Sequence, residues 1–308
     1  MRCKTVIALS LLALLPGCSV RKTAMKSIGS ALSGAADEFA RDEDPELVRG
    51  AIPFSLKVME TVLQEDPKNP QLLAGLCKGF SQFSYGFVLQ DAEELDDKDR
   101  VAAKAARDRA VKLFLRGRNY GMRYFELKHP NFAADLKADP KKAVQSMTKA
   151  DVPVLYWTTI GWAGALSTSR DFMMLPQIPQ FEAMIDKAIE LDEAYERGSI
   201  HAFFITYEMA RLKTNGDRVA NARKHYQRAM ELGGGKLVGP MVSYAESVLI
   251  PAKNRAEFEN LLKQAMKVDV NAEPDYRVLN LIFQKRAKLL MSRADKLFPT
   301  SSSASSNE

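Results

Sequence analysis

The sequence is poor in the residues that crosslink or arm a small protein. Only three cysteines and three histidines occur among 308 residues. His129, His201 and His225 stand at no metal-ligand spacing from one another or from a cysteine pair, so no metal site is expected. Alternating β-branched runs are nearly absent, which argues against a sheet. Beyond the N-terminus no stretch approaches the ~18 uninterrupted apolar residues of a membrane helix. Catalytic signatures are missing too. There is no G-x-S-x-G elbow, and Gly233-Gly234-Gly235-Lys236 is followed by Leu237, without the Ser or Thr and the leading glycine of a phosphate loop. That glycine run reads as a helix terminus. Glu93-Glu94 and Asp96-Asp97 lie among Lys98 and Arg100, as a solvated face does. No enzyme activity and no cofactor are expected. The formal charge is +6, but basic and acidic residues interleave (EELDDKDR, KAARDRAVK), so no stripe exists for nucleic-acid phosphates.

What is present begins at the N-terminus. Arg2 and Lys4 precede an apolar run at residues 6–15 (VIALSLLALL), followed by Pro16-Gly17-Cys18. Ten apolar residues reach about 15 Å as a helix, about half a bilayer core, so the run reads as a signal peptide at 1–17 and not as a span. A small residue before cysteine, with leucine three positions before it, resembles a bacterial lipobox. Cys18 is then the lipidated first residue of the mature chain. Two or three acyl chains anchor firmly where one does not. The chain is therefore expected to be periplasmic and held to a membrane, with Ser19 leaving the choice of membrane open. Loss of Arg2 and Lys4 lowers the formal charge to +4. With Cys3 removed and Cys18 acylated, Cys77 stands alone in LLAGLCKGF, forms no intramolecular disulfide and serves as a small core residue. Residues 18–35 read as a tether, 36–299 as one helical domain and 300–308 (TSSSASSNE from Thr300) as a disordered tail.

Within the domain apolar positions recur at three and four, as at Leu56, Met59 and Leu63, or Leu261, Leu262 and Ala265, giving an all-α body of about eleven helices. One segment recurs: VLQEDPKNP at 62, AIELDEAYE at 188, AMELGGGKL at 229 and AMKVDVNAEP at 265. Each ends one helix and opens a turn before another, as in tetratricopeptide (TPR) repeats. Asp66-Pro67-Lys68-Asn69-Pro70 is the clearest. The steps of 126, 41 and 36 residues are not a uniform 34, so the repeats are degenerate. Prolines 130, 140 and 153 mark an insertion with one short helix. Paired helices stacked as an α-solenoid share a core and leave a concave binding surface around a central cavity or pore.

Two segments stand out for binding. VLYWTTIGWAGAL places Tyr156, Trp157 and Trp162 beside Gly161, Gly164 and Ala165. The small residues permit close helix approach, and the rings fill either a core or a ligand cavity, with Phe172, Met173 and Met174 adjoining. SIHAFFITYEMAR carries His201, Phe204 and Tyr207, and His201 reads as a hydrogen-bonded core or cavity histidine in preference to a catalytic one. Tyr244 joins these as a candidate cavity residue.

The blocks DVPVLYWTTIGWAGALS, AIELDEAYERGSIHAFFITYEMAR and AMELGGGKLVGPMVSYAESVLIPAKNRAEFENLLKQAMKVD resemble the T-component family of tripartite ATP-independent periplasmic (TRAP) transporters, from about residue 36 to Phe298. The resemblance implies a homotrimer of TPR-like protomers, each surrounding a largely apolar, pore-like channel. It implies as partner the periplasmic substrate-binding protein, the P-component, and a hydrophobic or amphipathic ligand. A general TPR scaffold for envelope assembly, touching no small molecule, is the alternative.

Overall fold

The computed structural model describes residues 38–169, 171–214 and 216–299. Cys18, the expected leader, most of the tether and the tail lie outside them. Among the described residues there are fourteen α-helices and no strand.

Local chemistry sets the helix ends. Helix α1 (Pro45–Glu65) starts where the Asp44 carboxylate accepts from the backbone N–H of Glu46 and Leu47, satisfying donors that a first turn leaves orphaned. Asn69 does the same for α2 (Pro70–Phe83) through the N–H of Leu72, with Pro70 at the first helical position. A π-helical turn (Ser84–Val88) carries this rod into α3 (Leu89–Leu95). Asp99 caps α4 (Arg100–Lys128), the longest helix. Then come α5 (Phe132–Ala138), α6 (Pro140–Ala143), α7 (Val152–Ser169), a 3-10 turn (Phe172–Gln177) and α8 (Ile178–Leu191). The last third holds α9 (Ser199–Ala210), α10 (Arg218–Leu232), α11 (Val238–Tyr244), α12 (Arg255–Lys267), α13 (Arg277–Ser292) and α14 (Ala294–Leu297). A second π turn (Ala245–Leu249) follows α11.

All four recurring segments fall where one helix gives way to the next: α1 to α2, α8 to α9, α10 to α11 and α12 to α13. The helix number exceeds the expected eleven because the α2 rod is interrupted by a π turn and single-turn helices form at Pro140–Ala143 and Ala294–Leu297. The expected insertion holds two short α-helices where one was anticipated, and it is not an appendage. Phe132, Leu136, Val144 and Met147 are buried in the main apolar cluster, which pins the segment down.

The core has two parts. A larger cluster runs from Val48 to Phe204 and also takes in Val278; a smaller one runs from Ile205 to Phe298. Tyr85, in the first π turn, packs against both. The chain then closes on itself, since α13 packs on α1. Arg286 of α13 donates to Glu93, to Gln90 at 2.8 Å and to Glu246 at 2.6 Å, while Arg293 pairs with Asp97 at 2.7 Å. The bonds of Arg286 to Glu93 and Gln90 and of Arg293 to Asp97 join segments about two hundred residues apart in sequence.

Candidate functional site

The site is built around α7. Its sequence is apolar on every side, so the helix is buried by neighbours all round. It approaches α4 and α2 closely because glycines stand at the crossing. A Cβ on Gly121 would lie 1.9 Å from Thr158 Oγ1, one on Gly117 2.6 Å from Ser81 Oγ, and one on Gly161 2.9 Å from the Phe114 carbonyl. Cys77 is fully buried at the same crossing, its Sγ 3.5 Å from Thr158 Oγ1, and burial pushes its thiol up to about 12.

Where the walls separate they leave a cavity of about 810 Å³, within the roughly 300–1,000 Å³ typical of small-molecule pockets. Most of the long helices contribute to it, α10 and α12 excepted. Ile52, Leu56 and Met59 come from α1, Ile160 and Ala163 from α7, Ala202, Phe203 and Thr206 from α9, and Ile282 and Phe283 from α13. Tyr85, Gly86 and Phe87 enter from the π turn, a geometry that often marks functional positions.

The lining changes in chemistry along α7 and α9. Toward the C-terminal ends of these helices it is Leu166, Leu175 and Leu212, with Phe172 and Met173 about four-fifths exposed on the 3-10 turn that carries Leu175. Toward their N-terminal ends Lys78, Glu196 and Arg197 join Tyr156 and Trp157 in the wall. Lys78 Nζ is 3.0 Å from Glu196 Oε1 and 5.8 Å from the centre of the Trp157 ring. Burial, with Glu196 nearby, holds the phenols of Tyr156 and Tyr195 well above their ordinary range, so both stay neutral donors. The Trp157 indole Nε1 is buried without a well-aligned hydrogen bond among the described residues, although its N–H lies close enough to the Tyr195 hydroxyl to lower that phenol.

Of the rings anticipated from sequence, Tyr156, Trp157 and Tyr207 line this cavity. Tyr207 also donates to Glu182 at 2.8 Å. The other candidates stand elsewhere, for reasons of helical phase. On α9 the cavity face is Ala202, Phe203, Thr206, Tyr207 and Ala210; His201 and Phe204 point to α10. There His201 Nδ1 meets His225 Nδ1 at 2.9 Å, its Nε2 meets Glu193 at 3.2 Å, and Phe204 stacks on His225 at 4.9 Å. Trp162 is on the far side of α7, donating to Gln177 at 2.8 Å with Arg118 over its ring. Met174 is buried in the main cluster. Tyr244 belongs to the second cluster, stacked on Tyr226 and accepting from Arg223 at 3.1 Å. Phe172 and Met173 are exposed outside the cavity wall.

Sequence reading missed Phe203, Tyr85, Phe283, Lys78 and Glu196 as wall residues. It also missed the His201–His225 pair, whose members lie 24 positions apart on two helices. No group of three or more metal-ligating side chains occurs among the described residues. No described helix is long and apolar enough to cross a membrane.

Comparison with known proteins agrees with the resemblance. The sequence model of the family described as TRAP transporter T-component matches residues 41–298. A protein of Treponema pallidum (strain Nichols) described as uncharacterized is 25% identical over 301 residues, which cover 92% of this chain and 93% of its own.

Proposed function

The chain belongs to the TRAP transporter T-component family, and from that premise we propose that it is a periplasmic lipoprotein of a TRAP system, docking the P-component and passing or shielding a hydrophobic ligand. The observation that carries this reading is the 810 Å³ cavity walled by apolar and aromatic side chains from helices throughout the chain. Such a space is costly to leave unfilled, and its mostly apolar lining holds ordered water poorly. It suits an apolar guest. The proposal includes acylation at Cys18, assembly as a homotrimer, and TPR-like winding of the four helix pairs into a solenoid whose cavity serves as the channel. Acyl chains confine the partner of a diffusing binding protein to a surface, where encounters are more frequent. No bond is broken in this scheme, and the family is a transport accessory family, not an enzyme family.

Sedimentation of the purified chain with its cognate P-component tests the docking. Co-sedimentation at micromolar concentration is expected, and independent sedimentation contradicts it.

A further inference from the structure

All five charged side chains that line the cavity belong to one connected mouth. Lys78 pairs with Glu196 at 3.0 Å, the next residue Arg197 reaches Glu273 at 2.6 Å, and Asp275, two residues on, meets Arg41 at 2.6 Å. Charge there is unequal, because Arg197 and Lys236 share the single carboxylate of Glu273. The backbone presenting these groups is unusual. Glu196 and Arg197 have φ of 41° and 57°, left-handed without being glycine, before Gly198 at 94°. Conformations of that kind persist only where surrounding structure imposes them, and they gather at ligand clamps. The buried Trp157 N–H, without a well-aligned acceptor among the described residues, is in the same wall. Toward the C-terminal ends of α7 and α9 the lining residues Leu166, Ser167, Leu175, Tyr207, Ala210 and Leu212 carry no charge.

We propose that this mouth is a head-group subsite and that the cavity takes a monoanionic amphipath, a long-chain carboxylate in class. Its head lies against Lys78 and Arg197, and its tail runs toward Leu175 and Leu212. A carboxylate leaving water needs a cation and N–H donors to replace its hydration, and this end alone supplies both. A neutral head leaves the positive excess unanswered. A cationic head meets repulsion. The proposal rests on reading the cavity as a small-molecule site.

Titration calorimetry of the full chain with decanoate, decanol and decylamine, each below its micellar concentration, tests it. Decanoate should bind about tenfold more tightly than decanol, the worth of one charge-assisted hydrogen bond. Lys78→Met should abolish that preference and leave decanol affinity unchanged. Glu196→Gln, which frees Lys78 from its competitor, should tighten decanoate binding. Equal affinities for decanoate and decanol, a preference for decylamine, or an equal loss of decanoate binding in both variants contradicts the assignment. Decanol binding without any head-group preference overturns the subsite alone, whereas failure of all three probes overturns the small-molecule reading with it.

Discussion

At the scale of single residues, the α4–α7 crossing and the histidine pair make the sharpest demands. Gly121 has no room for a side chain, since a Cβ would meet Thr158 Oγ1 and, at 2.9 Å, Cys77 Sγ. Gly121→Val is expected to destabilise the fold by about 3 kcal/mol, the upper part of the range for overpacking. A lowered urea midpoint with unchanged slope checks it, and Gly50→Ala, inside α1 with open space around it, is the contrasting control, expected to stabilise by about 0.5–1 kcal/mol. His201 and His225 are packed between α9 and α10 with Glu193 and Arg228 on one side and Glu208 and Arg211 on the other. Burial, reinforced by His201, pushes His225 down to about 4, and burial lowers His201. Groups depressed in the folded state stabilise it above their unfolded pKa, near 6.5, and that contribution is lost on acidification. The melting temperature should therefore fall as pH drops from about 6.5 toward 4. His225→Phe should flatten that part of the profile, and an unchanged slope contradicts the assignment.

At the scale of helices, ring closure depends on Arg286. Its side chain is only 10% exposed, and burial pulls the guanidinium's pKa down, but Glu246 and Glu93 more than offset that and hold it above its ordinary range. Arg286→Met strands both carboxylates at the junction of α3, the second π turn and α13. It should cost about 3 kcal/mol, the low end for breaking a buried pair because Glu246 is one-third exposed. Lys104→Met, which breaks a pair exposed at 76% and 57%, should cost less than about 0.5 kcal/mol. Comparable urea midpoints for the two variants would show that α13 does not close the fold through Arg286. Helix starts and turns were legible in the sequence because Asp44, Asn69, Asp99 and the Pro67–Pro70 run act locally. Closure was not, since Arg286, Glu93 and Arg293 meet across about two hundred positions. The π turns escaped notice for a related reason: Ser84–Val88 looks like ordinary helix and is distinguished only by its packing against both core clusters.

At the scale of the molecule, the site was half legible. VLYWTTIGWAGAL identified the helix at the heart of the cavity, yet a helix apolar all round offers no periodicity from which to choose a face. Trp157 and Trp162, five positions apart, look alike in sequence, and only the neighbouring helices decide that one lines the cavity while the other bonds Gln177. The charged mouth was less legible still. Lys78 is the one charged residue of α2, and Glu196 ends a recurring turn segment, so nothing local joins them. The proposed function is that of a docking partner that also handles a small molecule, and a single comparison separates this from a scaffold. The chain would be purified without detergent from its own cells and weighed by native mass spectrometry, alongside Ala202→Trp, which fills the cavity from α9. The wild-type protein is expected to carry a non-covalent small molecule, and the variant to have lost it while still sedimenting with the P-component. Bare masses for both proteins, with P-component binding intact, would contradict it.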